Sequence, residues 1–142
     1  MAARRDDPEH REQVALINWR DTFSNIHPEL KLLHSNQNAR KCTPRQGKYL
    51  NDEGRVKGVP DLCLPIPRDG YSGLWIEMKA DKTSNTTPEQ KDWIHRLEHY
   101  GHKCVVCCDW TIGARIIQKY LGLPYSIVPD ESGGVKRVWG CK

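Results

Sequence analysis

No run of apolar residues in this sequence approaches the roughly 18 needed to cross a bilayer. The opening residues "MAARRDDPEH" are charged and no apolar stretch follows them, so no secretory signal is read and a cytoplasmic location is expected. Internal repeats and low-complexity tracts are absent. Positive charge is modest, at a formal net +4, short of a ribosomal or histone-like balance. Such a chain can visit nucleic acid without coating it. Six cysteines include a C-x-x-C spacing in "KCVVCCDW", but no second close Cys/His pair follows, as a zinc site would need. A buried strand with free thiols is the stronger reading of that run.

What remains is an ordinary globular composition: 142 residues, 37% hydrophobic and 28% charged. Length and composition predict one domain over residues 1–142, with a core at about 8–121 and a C-terminal extension at 122–142. "PEHREQVALINWRDTF" has helical spacing at Val14, Leu16, Ile17, Trp19 and Phe23, with Asp7 as N-cap and Pro8 in the first turn. "LKLLH" reads as a short strand, and "PRQGKYLNDEGRVKG" as a short helix ended at Gly54. "DLCLPI" and "LWIEMKA" are strands joined by "PRDGYSG", where Asp69-Gly70 is a hairpin signal. Thr87, Pro88 and Gln90 form a capping box that starts a helix with Trp93, Ile94 and Leu97 on its apolar stripe, closed near Gly101. "KCVVCC" is a third strand and "DWTIGARIIQKYLG" a second amphipathic helix. The tail "LPYSIVPDESGGVKRVWGCK" reads as a loop or short hairpin. A hairpin followed by a strand–helix–strand crossover gives an α/β fold: a mixed β-sheet flanked by helices.

Side chains alternate along "LWIEMKA". Leu74, Ile76 and Met78 share one face; Trp75, Glu77 and Lys79 share the other. Asp61 heads the preceding strand and can lie across from Glu77. Two carboxylates on rigid strands suit a hard divalent cation, and an adjacent lysine can orient a water or stabilise a developing anion. Taken alone, the same spacing is weak and better describes an exposed strand face with a cross-strand ion pair, with Asp61 as a turn residue after a proline.

The combination of "PD" at Pro60-Asp61 with "EMK" at Glu77-Lys79 resembles the PD-(D/E)xK nuclease signature. The run "GVPDLCLPIPRDGYSGLWIEMKA…TPEQKDWIHRLEHYGHKCVVCCDW" resembles the VRR-NUC family, specifically its small stand-alone phage and prophage members. "PEHREQVALINW" and "HSNQNARK" add to the likeness, which covers residues 8–121 in order. The resemblance implies a restriction-endonuclease-like core. It implies Mg2+ or Mn2+ held by Asp61, Glu77 and the Met78 backbone carbonyl, and a catalytic Lys79 that positions the attacking water. A glutamate on the first helix is expected to complete the metal site. Glu12 is the choice and Glu9, three residues earlier on the same side of the helix, the alternative. Gln90 is implied as a site residue, alongside its capping role. Where small members carry "PNGG", this chain has "SNQNARK" after His34, which leaves the role of that loop open; His34 itself reads as structural. Arg40, Lys41, Arg45, Lys48 and Lys57 are the candidate DNA-binding cations.

The function implied is metal-dependent hydrolysis of DNA phosphodiester bonds, leaving 5′-phosphate and 3′-hydroxyl ends. Likeness to Holliday-junction resolvases implies a homodimer acting on branched DNA. A chain of this length leaves no room for a separate sequence-reading domain, which favours recognition of DNA shape. If the chain is phage-encoded, the expected location is the host cytoplasm. Alternatives are a non-catalytic DNA-binding module on the same fold and a sequence-specific restriction-type enzyme.

Overall fold

A computed structural model describes residues 7–36, 43–124 and 139–140, the last pair as backbone alone. The first helix, α1 (Pro8–Phe23), begins as its cap signals dictate, with Asp7 accepting the His10 N–H at 3.2 Å. It buries Leu16 and Trp19. Val14, expected on the apolar stripe, is 41% exposed. Two residues are about 200° of helix rotation, which puts Val14 opposite Leu16.

The strand expected at "LKLLH" is a short 3-10 helix, Pro28–Leu32, followed by a two-residue strand, β1 (His34–Ser35). Leu30 and Leu33 are fully buried while Leu32 is 51% exposed. A three-residue turn brings i and i+3 to one side, whereas strand alternation cannot bury both. Helix α2 (Pro44–Asp52) is closed at its start by a Thr43–Gln46 capping box that sequence reading overlooked. Gly54 follows with φ +108, a conformation that suits a residue without Cβ.

The sheet is built from β1, β2 (Leu62–Leu64), β3 (Leu74–Met78), β4 (Lys103–Cys107) and β5 (Trp139–Gly140), neighbours in that order. β3 and β4 are parallel and the other pairs antiparallel. Asp69 and Gly70, both at positive φ, turn the β2–β3 hairpin. Arg68 and Tyr71 close it with backbone bonds of 3.0 and 2.8 Å. Between β3 and β4 runs α3 (Pro88–His99), and α4 (Trp110–Leu121) follows β4 with Asp109 as N-cap.

Alternation divides the sheet into two layers. Leu62, Leu64, Leu74, Ile76, Met78, Val105 and Cys107 pack against Leu16 and Trp19 of α1 and Ile112 and Ile117 of α4. Trp75, Cys104 and Val106 pack on the other face against Ile94 and Leu97 of α3. A C-x-x-C spacing on a strand sends its thiols to opposite faces, and Cys104 and Cys107 sit in these two separate clusters. No described helix is long and apolar enough to cross a membrane.

Candidate active site

The antiparallel register pairs Leu62 with Ile76, so one step further Asp61 faces Glu77. Asp61 Oδ2 accepts the Met78 N–H at 2.8 Å, while the Lys79 N–H points the other way, to the Cys107 carbonyl at 2.9 Å. The N–H and C=O of a strand residue face the same edge, so the Met78 carbonyl is on the Asp61 side. Asn36, just past β1, fixes the proline-aspartate turn from behind. Its side chain donates to the Pro60 carbonyl at 2.8 Å and its backbone N–H to the Asp61 carbonyl at 2.7 Å. The first residues of the "SNQNARK" segment thus support the site; residues 37–42 lie outside the described chain.

The helix carboxylate that reaches these strands is Glu9. Oxygen atoms of Glu9, Asp61 and Glu77 lie within 4.8 Å of one another. Glu12, the choice from sequence, is elsewhere: its Oε2 accepts the Trp110 N–H at 2.8 Å, at the first turn of α4. A carboxylate there satisfies an orphan helix donor and complements the helix dipole. The two glutamates differ by about 4.5 Å along the axis and 60° around it, enough to send one to the sheet and the other to a neighbouring helix.

Gln90 joins the remaining groups. Its Nε2 donates to Glu77 Oε1 at 2.7 Å, and its Oε1 accepts from Lys79 Nζ at 2.8 Å. The same oxygen accepts the Thr87 N–H at 2.9 Å, as the capping box requires. Both readings of Gln90 from the sequence therefore describe one side chain. Lys79 Nζ is 3.5 Å from Glu77 Oε1, and both side chains are nearly inaccessible to solvent. Burial pushes the Glu77 carboxyl up to about 8 from 4.5; Asp61 and Glu9 add to the rise and Lys79 opposes it. Glu77 Oε2 is buried with no hydrogen-bond partner among the described residues. Carboxylates this crowded, one of them buried and half-satisfied among the described residues, are a group that could hold a cation.

Gly58, at the head of the "GVPD" run, has φ +94, and a Cβ there would come within 2.6 Å of the Glu89 backbone. Only glycine lets this loop press onto the first turn of α3, at the residue before Gln90. The glycine stood in the motif, but its contact joins residues 31 positions apart and is not readable from spacing.

Arg40 and Lys41 lie outside the described residues. Arg45 is exposed on α2; Lys48 pairs with Asp52 at 2.9 Å and Lys57 with Glu89 at 3.5 Å. His34 Nδ1 lies 2.9 Å from the Leu32 carbonyl. The structure gathers neither Arg45, Lys48 nor His34 with the carboxylates.

An α/β domain with three carboxylates, a lysine and a glutamine gathered around the C-terminal end of β3 has the form of a nuclease-type, DNA-processing domain. The VRR-NUC domain family model matches residues 7–108, and the chain belongs to that family. One similar solved structure, described as a "VRR_NUC domain protein", has a TM-score of 0.65 and 28% identity, covering 84% of this chain and 92% of that one. A second, described as "VRR_NUC domain", has a TM-score of 0.50 and 21% identity over 81% of this chain and 99% of that one, and speaks for the fold. No curated protein matches the sequence.

Proposed function

We propose that this protein hydrolyses DNA phosphodiester bonds with Mg2+ or Mn2+, in the cytoplasm, as a two-fold dimer selective for branched DNA. The observation that carries the reading is the convergence of Glu9, Asp61 and Glu77 oxygens within 4.8 Å beside Lys79. The donor set fits the group. Carboxylate oxygens and the Met78 carbonyl are ligands for a hard cation, and Glu77 Oε2, unsatisfied among the described residues, is a ready position for one. When bound, the cation polarises the scissile phosphate and makes a water acidic enough to attack at neutral pH.

The chain's own groups do the rest. Lys79, held by Gln90 and Glu77, donates to the attacking water and to the phosphate oxygens as negative charge grows. Gln90 keeps the Lys79 ammonium from collapsing onto Glu77, because its amide spans the two. The start of α3 adds backbone N–H groups and the positive end of a helix near the phosphate. Two active sites across a dimer axis match a junction with two strands to cut.

The test is cleavage of four-way junctions, flaps, nicked DNA and linear duplex in a Mg2+ and Mn2+ series. Branched substrates are expected to be cut, and Lys79→Ala and Asp61→Ala to abolish cleavage while circular dichroism stays native. If neither metal gives cleavage of any substrate, the chain is a DNA-binding module instead. Discrete cuts on linear duplex would assign a restriction-type enzyme.

A further inference from the structure

A groove of about 580 Å³ runs along α3 beside the carboxylate site, between that helix and the segment before β2. Its lining begins at Glu89, next to Gln90, and ends at Tyr100 and His102. From Gln90 to Tyr100 the helix rises about 15 Å, the span of roughly four stacked nucleotides. Trp93 forms part of the wall and Tyr100, 74% exposed, the rim. On the groove's inner side Trp75 Nε1 donates to His102 Nδ1 at 3.1 Å, which leaves His102 Nε2–H as a fixed donor. Trp75 shares its sheet face with Glu77 and Lys79, so groove and catalytic cluster belong to one surface.

The charges in the groove cancel. Lys57 pairs with Glu89 at 3.5 Å and Arg96 with Asp92 at 3.0 Å, all four side chains substantially exposed. A channel that only tracked phosphates would be net positive. A neutral groove with aromatic walls and a fixed hydrogen-bond donor suits a flat, uncharged ligand with polar edges, which describes a nucleobase. Exposed ion pairs are weak, so Lys57 and Arg96 can turn from their carboxylates to the sugar-phosphate backbone between bases.

We propose that this groove holds unpaired nucleotides of the strand that leaves the catalytic site, with bases stacked on Tyr100 and Trp93. Choosing nucleic acid as the occupant rests on the nuclease reading of the neighbouring carboxylates. The substrate is then branched DNA with a single-stranded or unstacked arm beside the cut, and not a fully stacked duplex.

The test is fluorescence anisotropy in EDTA, where no cleavage occurs, with a labelled ten-nucleotide oligothymidine and a blunt duplex as probes. The protein is expected to bind oligothymidine more tightly than duplex. Tyr100→Ala is expected to weaken oligothymidine binding at least five-fold, with duplex affinity unchanged within two-fold; Tyr100→Phe, which keeps the ring, restores it. Three results overturn the proposal: duplex preferred by the unaltered protein, Tyr100→Ala binding like Tyr100→Phe, or equal losses on both probes. Loss of self-association in Tyr100→Ala, with DNA binding intact, would give the groove to a second copy of the chain and overturn it as well. The same preparations are assayed for cleavage in Mg2+. Cleavage without single-strand preference fails this inference alone, whereas single-strand binding without cleavage of any substrate fails the nuclease reading.

Discussion

Replacing Glu77 by glutamine should make the metal-free protein more stable and inactive at once. Glu77 is 2% exposed, faces Asp61 and Glu9, and holds its proton up to about pH 8 instead of 4.5. A carboxyl bound more tightly to its proton in the folded chain contributes stability that is full below 4.5 and is lost as pH rises through about 8. The separation of those two values corresponds to at most about 5 kcal/mol, at about 1.36 kcal/mol per pH unit. Water entering the opened site lowers the expected loss to about 2–3 kcal/mol. Glutamine is isosteric and uncharged. Its carbonyl can keep the bond from Gln90, and its amide can donate toward Asp61 where Glu77 Oε2 now has no partner among the described residues. The assay is urea unfolding in EDTA at pH 5, 6.5 and 8. The unaltered protein should lose about 2–3 kcal/mol across that range relative to Glu77→Gln. Excess Mg2+ at pH 8 should return stability to the unaltered protein only. Cleavage should fall by a factor of at least about 100, a typical cost of losing electrostatic stabilisation at a reacting centre. Parallel pH profiles for the two proteins, or a variant less stable at pH 8, would refute the reasoning.

Other expectations separate the roles of neighbouring residues. Glu9→Gln should remove most cleavage and leave urea stability unchanged or raised. Glu12→Ala should cost about 1–2 kcal/mol, because the Trp110 N–H loses its acceptor, while the metal dependence of the remaining activity is kept. Gly58→Ala must find about 0.8 Å between 2.6 Å and ordinary contact near 3.4 Å, at a positive φ. It should cost about 2–4 kcal/mol by thermal unfolding and lower cleavage by about 100-fold through displacement of Gln90.

Much of this molecule is local and hence legible. The caps at Asp7 and Thr87, the Asp69-Gly70 turn and the alternation of Leu74, Ile76 and Met78 with Trp75, Glu77 and Lys79 each depend on residues a few positions apart. The structure reproduces them. The misreadings also have local causes. "LKLLH" is apolar at three of five positions, and only the tertiary demand to bury Leu30 with Leu33 selects a three-residue turn over a strand. Val14 belongs to an apolar cluster in sequence but to the outside of α1 in space.

Sequence alone placed Asp61 at the head of one strand and Glu77 and Lys79 at the end of its neighbour in an α/β sheet, because strand period and hairpin chemistry are short-range properties; β2 begins one residue after Asp61 and β3 ends one residue before Lys79. The tertiary structure decided which helix carboxylate joins them. Glu9 and Glu12 project from similar sides of α1, and only the docking of that helix through Leu16 and Trp19 directs Glu9 to the strand carboxylates and Glu12 to the start of α4. It also decided that Gln90 would span Glu77 and Lys79, next to the contact that Gly58 makes with Glu89 across 31 positions. Such pairings depend on how whole elements pack, and the spacing of residues along the chain carries no record of that.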